Sequence, residues 1–155
     1  MNKSKEAKAV FERGFNCAQS ILYAHGKNYF KEDSSALKLA SSFGAGISYR
    51  GELCGAVSGA LMIIGLNYGY SDLTMDVSEE LVFKISKEFI ESFEKQNGSV
   101  ICNRLLNCDI SSYEGLSHAR QNGLFKNTCP RLVENSSIML EAIIKKYSPD
   151  HPEKT

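Results

Sequence analysis

Three glycines recur every four residues, at Gly51, Gly55 and Gly59, with Ala56 and Ala60 beside them. Residues four apart share one face of a helix. The spacing therefore makes a face almost without side chains, which a second backbone can approach closely. Each interior glycine lowers helix stability by about 1 kcal/mol relative to alanine. Either a tight helix crossing or a cofactor lying against the backbone has to offset that loss. The two are compatible, and Gly55 and Gly59 are the candidate cofactor contacts.

The rest of the chain is helical in its periodicity. Ala7, Val10, Phe11, Phe15, Ala18, Ile21 and Leu22 recur at helical spacing from Ser4 to about Ala24. Gly14 and Asn16 divide this stretch, Asn16 being the cap of the second piece. Asp33 opens a helix that closes at Gly44-Ala45-Gly46, and Ile47 to Glu52 reads as a loop. The glycine-bearing helix runs from about Leu53 to Tyr68. A long one from about Met75 to Gln96 buries Leu81, Val82, Ile85, Phe89, Ile90 and Phe93. A short helix spans Ser99 to about Leu106, and Asn107 to Thr128 reads as polar loop. The last helix starts at Pro130, a residue suited to a first helical position. It runs to about Tyr147 and buries Leu132, Val133, Ile138, Leu140, Ile143 and Ile144. No segment alternates with period two between hairpin turns. The expectation is an all-α single domain over residues 1–155, a bundle of about five or six helices with a frayed tail from about residue 148.

Eighteen basic residues balance eighteen acidic ones, which gives no electrostatic footprint for nucleic acid or an anionic membrane. The apolar run from Ala56 to Leu66 is too short to span a bilayer. Met1 to Glu6 has no apolar region behind it of the kind a signal peptide needs. A cytoplasmic location is the expectation, and there stable disulfides are rare. Cysteines in such a chain are ligands, redox centres or core residues.

Four of the five cysteines, Cys17, Cys54, Cys102 and Cys129, each fall at the expected start of a helix. The unpaired N–H groups and partial positive charge of a helix N-terminus favour thiolate over thiol. Chance would scatter packed cysteines along their helices, so the set points to cysteine chemistry. Cys108 lies six residues from Cys102, on a different helical face, and reads as an extra, non-functional thiol. No CxxC pair occurs, which removes thioredoxin, zinc-finger and ferredoxin spacings. Ligation by four distant cysteines stays open. His25, beside Gly26, reads as an exposed capping residue, His118 sits in the polar loop and His151 in the tail. Gly44-Ala45-Gly46 lacks the Gly-Lys-Ser/Thr of a phosphate-binding loop.

The segments Gly14-Phe15-Asn16-Cys17-Ala18-Gln19-Ser20, Gly51-Glu52-Leu53-Cys54-Gly55-Ala56-Val57-Ser58-Gly59, Cys102-Asn103-Arg104-Leu105-Leu106 and Cys129-Pro130-Arg131-Leu132-Val133 resemble, in order and spacing, the C_GCAxxG_C_C family of redox-active proteins. The likeness extends from about Phe11 to Leu140. It implies a small prokaryotic protein that holds a redox centre through Cys17, Cys54, Cys102 and Cys129. A related region accompanies the haem part of split-Soret cytochromes, where iron–sulfur ligation has been suggested. Two departures stand out: a glycine lies between Cys54 and Ala56, and Cys108 takes a place where glycine is expected.

The leading expectation is a redox or electron-transfer protein whose four cysteines hold an iron–sulfur cluster or another metal. A metal-free thiol–disulfide oxidoreductase and a non-catalytic scaffold with packed cysteines are the alternatives. The redox partner, the oligomeric state (a homo-oligomer included) and whether the chain is an enzyme stay open in the sequence.

Overall fold

In the computed structural model of the chain, residues 2–71 and 79–148 are described. The expected start of the long helix near Met75, the tail beyond Ser148 and His151 lie outside them. Asn2 opens α1 (Lys3–Glu12), its side-chain oxygen accepting from the Ser4 amide. Gly14, at φ 100°, then breaks the chain. Asn16 caps α2 (Cys17–Gly26) by a reciprocal box: its side chain accepts from the Gln19 backbone amide, and the Gln19 side chain accepts from the Asn16 backbone amide. A 3-10 turn, Lys27–Tyr29, leads to α3 (Asp33–Leu39), and a second, Ser41–Phe43, leads to the single turn α4 (Gly44–Ile47). Next come α5 (Gly55–Tyr68), α6 (Glu80–Asn97), stopped by Gly98 at φ 88°, and the short α7 (Cys102–Leu106). Two more helices, α8 (Tyr113–Gln121) and α9 (Leu124–Lys146), complete the fold.

The chain is all-α: the described residues contain no strand, only an isolated antiparallel bridge between Leu53 and Ile101. Among them stand nine α-helices, besides the two 3-10 turns, where five or six helices were expected. The additional ones are short or polar. Neither Asn107–Thr128 nor the stretch after Gly44 carries enough apolar residues to announce a helix by periodicity. Ser112 nonetheless caps α8, accepting from the Gly115 amide at 3.0 Å, and only Ala119 of that helix is fully buried. The last helix begins six residues before Pro130, so Pro130 sits inside α9 instead of starting it.

Helices α2, α5 and α9 surround the core, with Ile21, Leu22, Val57, Ile63, Ile64, Leu132 and Leu140 almost fully buried between them. α6 closes it with Ile85, Phe89 and Phe93. Two expected core residues are not core: Leu81, near the start of α6, and Ile138, on the outer face of α9, are exposed. His25 departs the other way. It is buried, and its Nε2 meets the Ser137 hydroxyl at 2.6 Å. Burial disfavours its cation and, with Lys3 nearby, holds its pKa down at about 4.

Only two of the three spaced glycines form the expected helix face: Gly51, at φ 71°, lies in the loop before α5, where a Cβ would run into the Asn103 side chain, whereas Gly55 and Gly59 lie in the helix. A Cβ on Gly59 would stand 2.9 Å from the Ala18 carbonyl oxygen and 3.0 Å from the Ile21 Cβ, so α5 rests directly on the α2 backbone. From the opposite side the buried Ser136 hydroxyl of α9 donates to the Ala56 carbonyl at 2.7 Å. Gly65 lies in the same helix but faces open space, where an added Cβ would meet nothing within 4 Å.

Gly59→Leu is expected to lower the denaturation midpoint by the equivalent of about 1–3 kcal/mol, because backbone cannot yield to the new side chain. Gly65→Ala should raise it by about 0.5–1 kcal/mol, as relief of glycine entropy with no clash. Urea titration of both separates contact from propensity. For His25 the unfolded chain takes up the proton first, since its folded pKa is the lower. Stability is therefore complete above about pH 6.5 and falls as pH drops towards about 4, by up to about 3 kcal/mol. His25→Gln should flatten that slope in denaturation measured across this range.

Candidate functional site

Each of the four cysteines reaches the same place by a different local device. Cys17 is the first residue of α2, held there by the Asn16–Gln19 box. Asn16 is itself tied down, since its side-chain amide donates to the Ser41 carbonyl at 2.9 Å. Cys54 is the residue just before α5, and Cys102 the first residue of α7. The short bridge brings these two together: the Cys54 amide donates to the Val100 carbonyl at 2.8 Å and the Cys102 amide to the Glu52 carbonyl at 2.6 Å. In an antiparallel pairing of Leu53 with Ile101, residues 54 and 102 fall diagonally on one face. Cys129 comes from the second turn of α9.

All four are buried, and all four line one cavity of about 270 Å³. Phe11, Leu105, Leu106, Phe125 and Leu132 supply apolar wall, and Gly55 lies against it. A Cβ on Gly55 would come within 3.0 Å of the Cys17 Cβ, so its absence lets α5 meet Cys17 closely. Gly59, the other candidate cofactor contact, is not among the lining residues. It serves the crossing with α2. Cys108 is apart from the cavity, half-buried, its thiol donating to the Gly115 carbonyl at 3.3 Å. His118 bonds with Asn122, and His25 lies in the core, so neither lines the cavity.

One wall is built from an unusual backbone. Ala45, Gly46, Ile47, Ser48 and Tyr49 all have positive φ, between 52° and 65°. The turn α4 is therefore left-handed, a geometry costing about 1–2 kcal/mol for each residue with a Cβ. Its hydrogen bonds close it locally, Ser48 donating to Gly44 at 2.9 Å and Glu52 to Gly46 at 3.0 Å. Gly46 admits no substitute: a Cβ would lie 2.5 Å from the Glu52 amide and 2.7 Å from the Cys102 Cβ. The turn thus packs directly onto a cavity cysteine and brings Ala45 and Tyr49 to the lining. The sequence announces only a glycine-flanked loop here. Left-handed conformation in Ile, Ser and Tyr has no compositional signal.

Among the described residues, Tyr49 in turn carries the one charged residue of the lining. The Arg120 guanidinium lies over its ring, 5.3 Å from the centroid, and Phe125 meets the ring edge-on at 6.5 Å. Neither Arg120 nor Tyr49 stands out in the sequence, because nothing in a polar stretch singles out one arginine.

The thiols do not titrate as their expected helix positions predict. The Cys17 thiol is held well above its ordinary value, first by its hydrogen bond to Cys129, then by burial and by the other cysteines. Burial pushes Cys54 up to about 12, although the Ala56 and Val57 amides pull the other way. Burial, then the charges of Cys54 and Cys129, raise Cys102 to about 12. Loss of water costs a thiolate more here than a helix terminus returns. Cys129 alone is shifted down, because the Cys17 thiol donates to it. It lies inside α9, so a neighbouring thiol and not a helix N-terminus favours its anion.

As donors, four sulfurs with no carboxylate in the lining suit soft metals and iron–sulfur clusters. Among the described residues, however, no three His, Cys, Asp or Glu side chains form a group ready for a single ion. A lone tetrahedral metal needs every sulfur about 2.3 Å from one point.

The family described as "Putative redox-active protein (C_GCAxxG_C_C)" matches over residues 15–143, a span that holds all four cavity cysteines, and the chain belongs to that family. No curated protein and no solved structure matches it. No helix among the described residues is long and apolar enough to cross a membrane.

In the reduced, metal-free protein, iodoacetamide near neutral pH should modify Cys129 before Cys17, Cys54 or Cys102, as followed by peptide mass spectrometry. Equal rates at the four would contradict the assigned proton positions. Ala45→Gly should stabilise the fold by about 1 kcal/mol, since glycine enters the left-handed region freely. Gly46→Ala should destabilise it, and thermal unfolding compares the two.

Proposed function

We propose that this member of the C_GCAxxG_C_C family is an electron-transfer protein whose iron–sulfur cluster is held by Cys17, Cys54, Cys102 and Cys129. The observation that supports it best is the convergence of four buried cysteines on one cavity whose lining has no carboxylate. Bound there, a cluster would supply reversible one-electron chemistry. The protein's own residues would do the rest. The four thiols release their protons to become ligands. That release is costly for Cys54 and Cys102 unless a cation replaces the proton, and this is why their high pKa values suit ligation better than free nucleophilic chemistry. The Ala56 and Val57 amides, which already face Cys54, stabilise its thiolate. Phe11, Leu105, Leu106 and Leu132 give the sulfurs an apolar surrounding. An external redox partner gives and takes the electron.

A second reading has one observation in its favour. Cys17 and Cys129 are hydrogen-bonded thiols, one with its pKa raised and the other with it lowered. Such a pair could cycle without metal, forming a disulfide as two electrons and two protons pass to an external disulfide. Cys54 and Cys102 would then be structural.

Anaerobic purification with iron, acid-labile sulfide and visible-absorption analysis tests both. Iron and sulfide should be bound in the wild type and in Cys108→Ser, and lost in Cys54→Ser and Cys102→Ser. Metal-free protein that instead yields a Cys17–Cys129 disulfide on mild oxidation, unaffected by Cys54→Ser, would replace the first reading with the second.

A further inference from the structure

Among the described residues, Arg120 is the only formally charged one that lines the cavity, and the other side chains there are apolar, thiol, amide or phenol. Among the described residues no carboxylate forms an ion pair with it. Its guanidinium, exposed to solvent, lies over the Tyr49 ring at 5.3 Å from the centroid, and that ring meets Phe125 edge-on and is carried by the left-handed turn. A cation–π contact leaves the N–H donors of a guanidinium available. Those donors match the two oxygens of a carboxylate or the oxygens of a phosphate. A cation beside an apolar cavity of about 270 Å³ selects for negative charge at one end and apolar bulk at the other.

We infer that the cavity admits a small organic acid, whose oxyanion pairs with Arg120 and whose apolar body points towards the cysteines. This rests on the cavity being the protein's working site, and it adds the class of small molecule that reaches it. Arg120 is then a binding residue and Tyr49 the residue that positions it. The four sulfurs lie on the same cavity surface, so a ligand held at Arg120 is held beside the redox-active groups.

The test uses two reagents of similar size and opposite electrostatic preference on the reduced, metal-stripped full chain. Iodoacetate is a small carboxylate, and iodoacetamide is its neutral counterpart. Modification of Cys129 by each is followed by peptide mass spectrometry, and the ratio of the two rates is the readout. Arg120→Gln should lower that ratio by about tenfold, and dividing by the iodoacetamide rate of the same variant removes any change in the reactivity of the thiolate itself. Arg120→Lys should recover part of the ratio, and Tyr49→Leu should lose part of it. Raising the salt concentration should lower the wild-type ratio, a result that needs no variant to fold. Benzoate, an unreactive acid, should slow iodoacetate in the wild type and not in Arg120→Gln. A ratio unaffected by both salt and Arg120→Gln overturns the inference. So does a Cys129 that neither reagent reaches, since no small molecule would then enter. Failure here is separate from failure of the cluster assignment: absence of iron leaves the ratio intact, and a flat ratio leaves iron binding intact.

Discussion

The approach of α5 to α2 is the contact on which the other distances depend. Gly59 lets the α5 backbone reach the Ala18 carbonyl, and Gly55 lets it reach Cys17. A methyl group at Gly59 would press on the α2 backbone itself, which a packed core cannot easily move, and one at Gly55 would crowd Cys17 and Ala18. The consequence reaches beyond stability. Cys17 begins α2 and Cys54 precedes α5, so the depth of this crossing sets how far apart two of the four sulfurs lie. The crossing also leaves the Ala56 carbonyl facing α9, where the Ser136 hydroxyl takes it up. That bond holds α9 against the pair, and with it Cys129 seven residues earlier. The glycine face is thus a structural device with a chemical outcome, even though Gly59 itself does not line the cysteine cavity.

Two opposing electrostatic effects meet at the sulfurs, and magnitude decides between them. A helix terminus favours an anion by about 0.3–1 kcal/mol, more when partly buried. Shifting a thiol from its ordinary value to about 12 corresponds to several kcal/mol disfavouring the thiolate. Burial therefore wins at Cys54 and Cys102, and the protein keeps them protonated until something positive displaces the proton. At Cys129 the balance reverses because Cys17 donates to it directly. The site is consequently asymmetric before anything binds: the anion of one sulfur is favoured by its neighbour, and those of the other three are held back.

Much of the fold is legible in the sequence because most of its helices are amphipathic or capped. Asn16-Cys17-Ala18-Gln19 announces α2 by its capping box, and the spacing of Ile85, Phe89 and Phe93 announces α6. What escapes is governed by tertiary contacts. Pro130 reads as a helix start, but α9 extends two turns ahead of it because Leu124, Phe125 and Cys129 have a cavity and core to face. α8 has too few apolar residues to show a period. His25 departs from its expected exposed place because a histidine beside glycine at a helix end is indistinguishable, by sequence, from one whose ring finds a buried serine across the core. At the site, the four cysteines stand out through their local motifs. Arg120 and Tyr49 do not, since their pairing joins residues 71 positions apart through a turn that no propensity predicts.

That left-handed turn also explains how the cavity is open on one side without collapsing. Four residues with side chains, Ala45, Ile47, Ser48 and Tyr49, sit in a region of backbone space that a loop free to relax would leave. They are retained because the chain is pinned before, within and after the turn. Gly44 packs against Asn16 at the head of α2, Gly46 against Glu52 and Cys102 at the bridge, and beyond the turn the Gly51 carbonyl accepts from the Asn103 amide at 2.9 Å. A right-handed turn between the same anchors would direct its side chains differently and remove Tyr49 from the lining. The aromatic ring at the mouth therefore follows from the same contacts that place Cys17 and Cys102. Cysteine cluster and charged rim are two outcomes of one set of close backbone approaches.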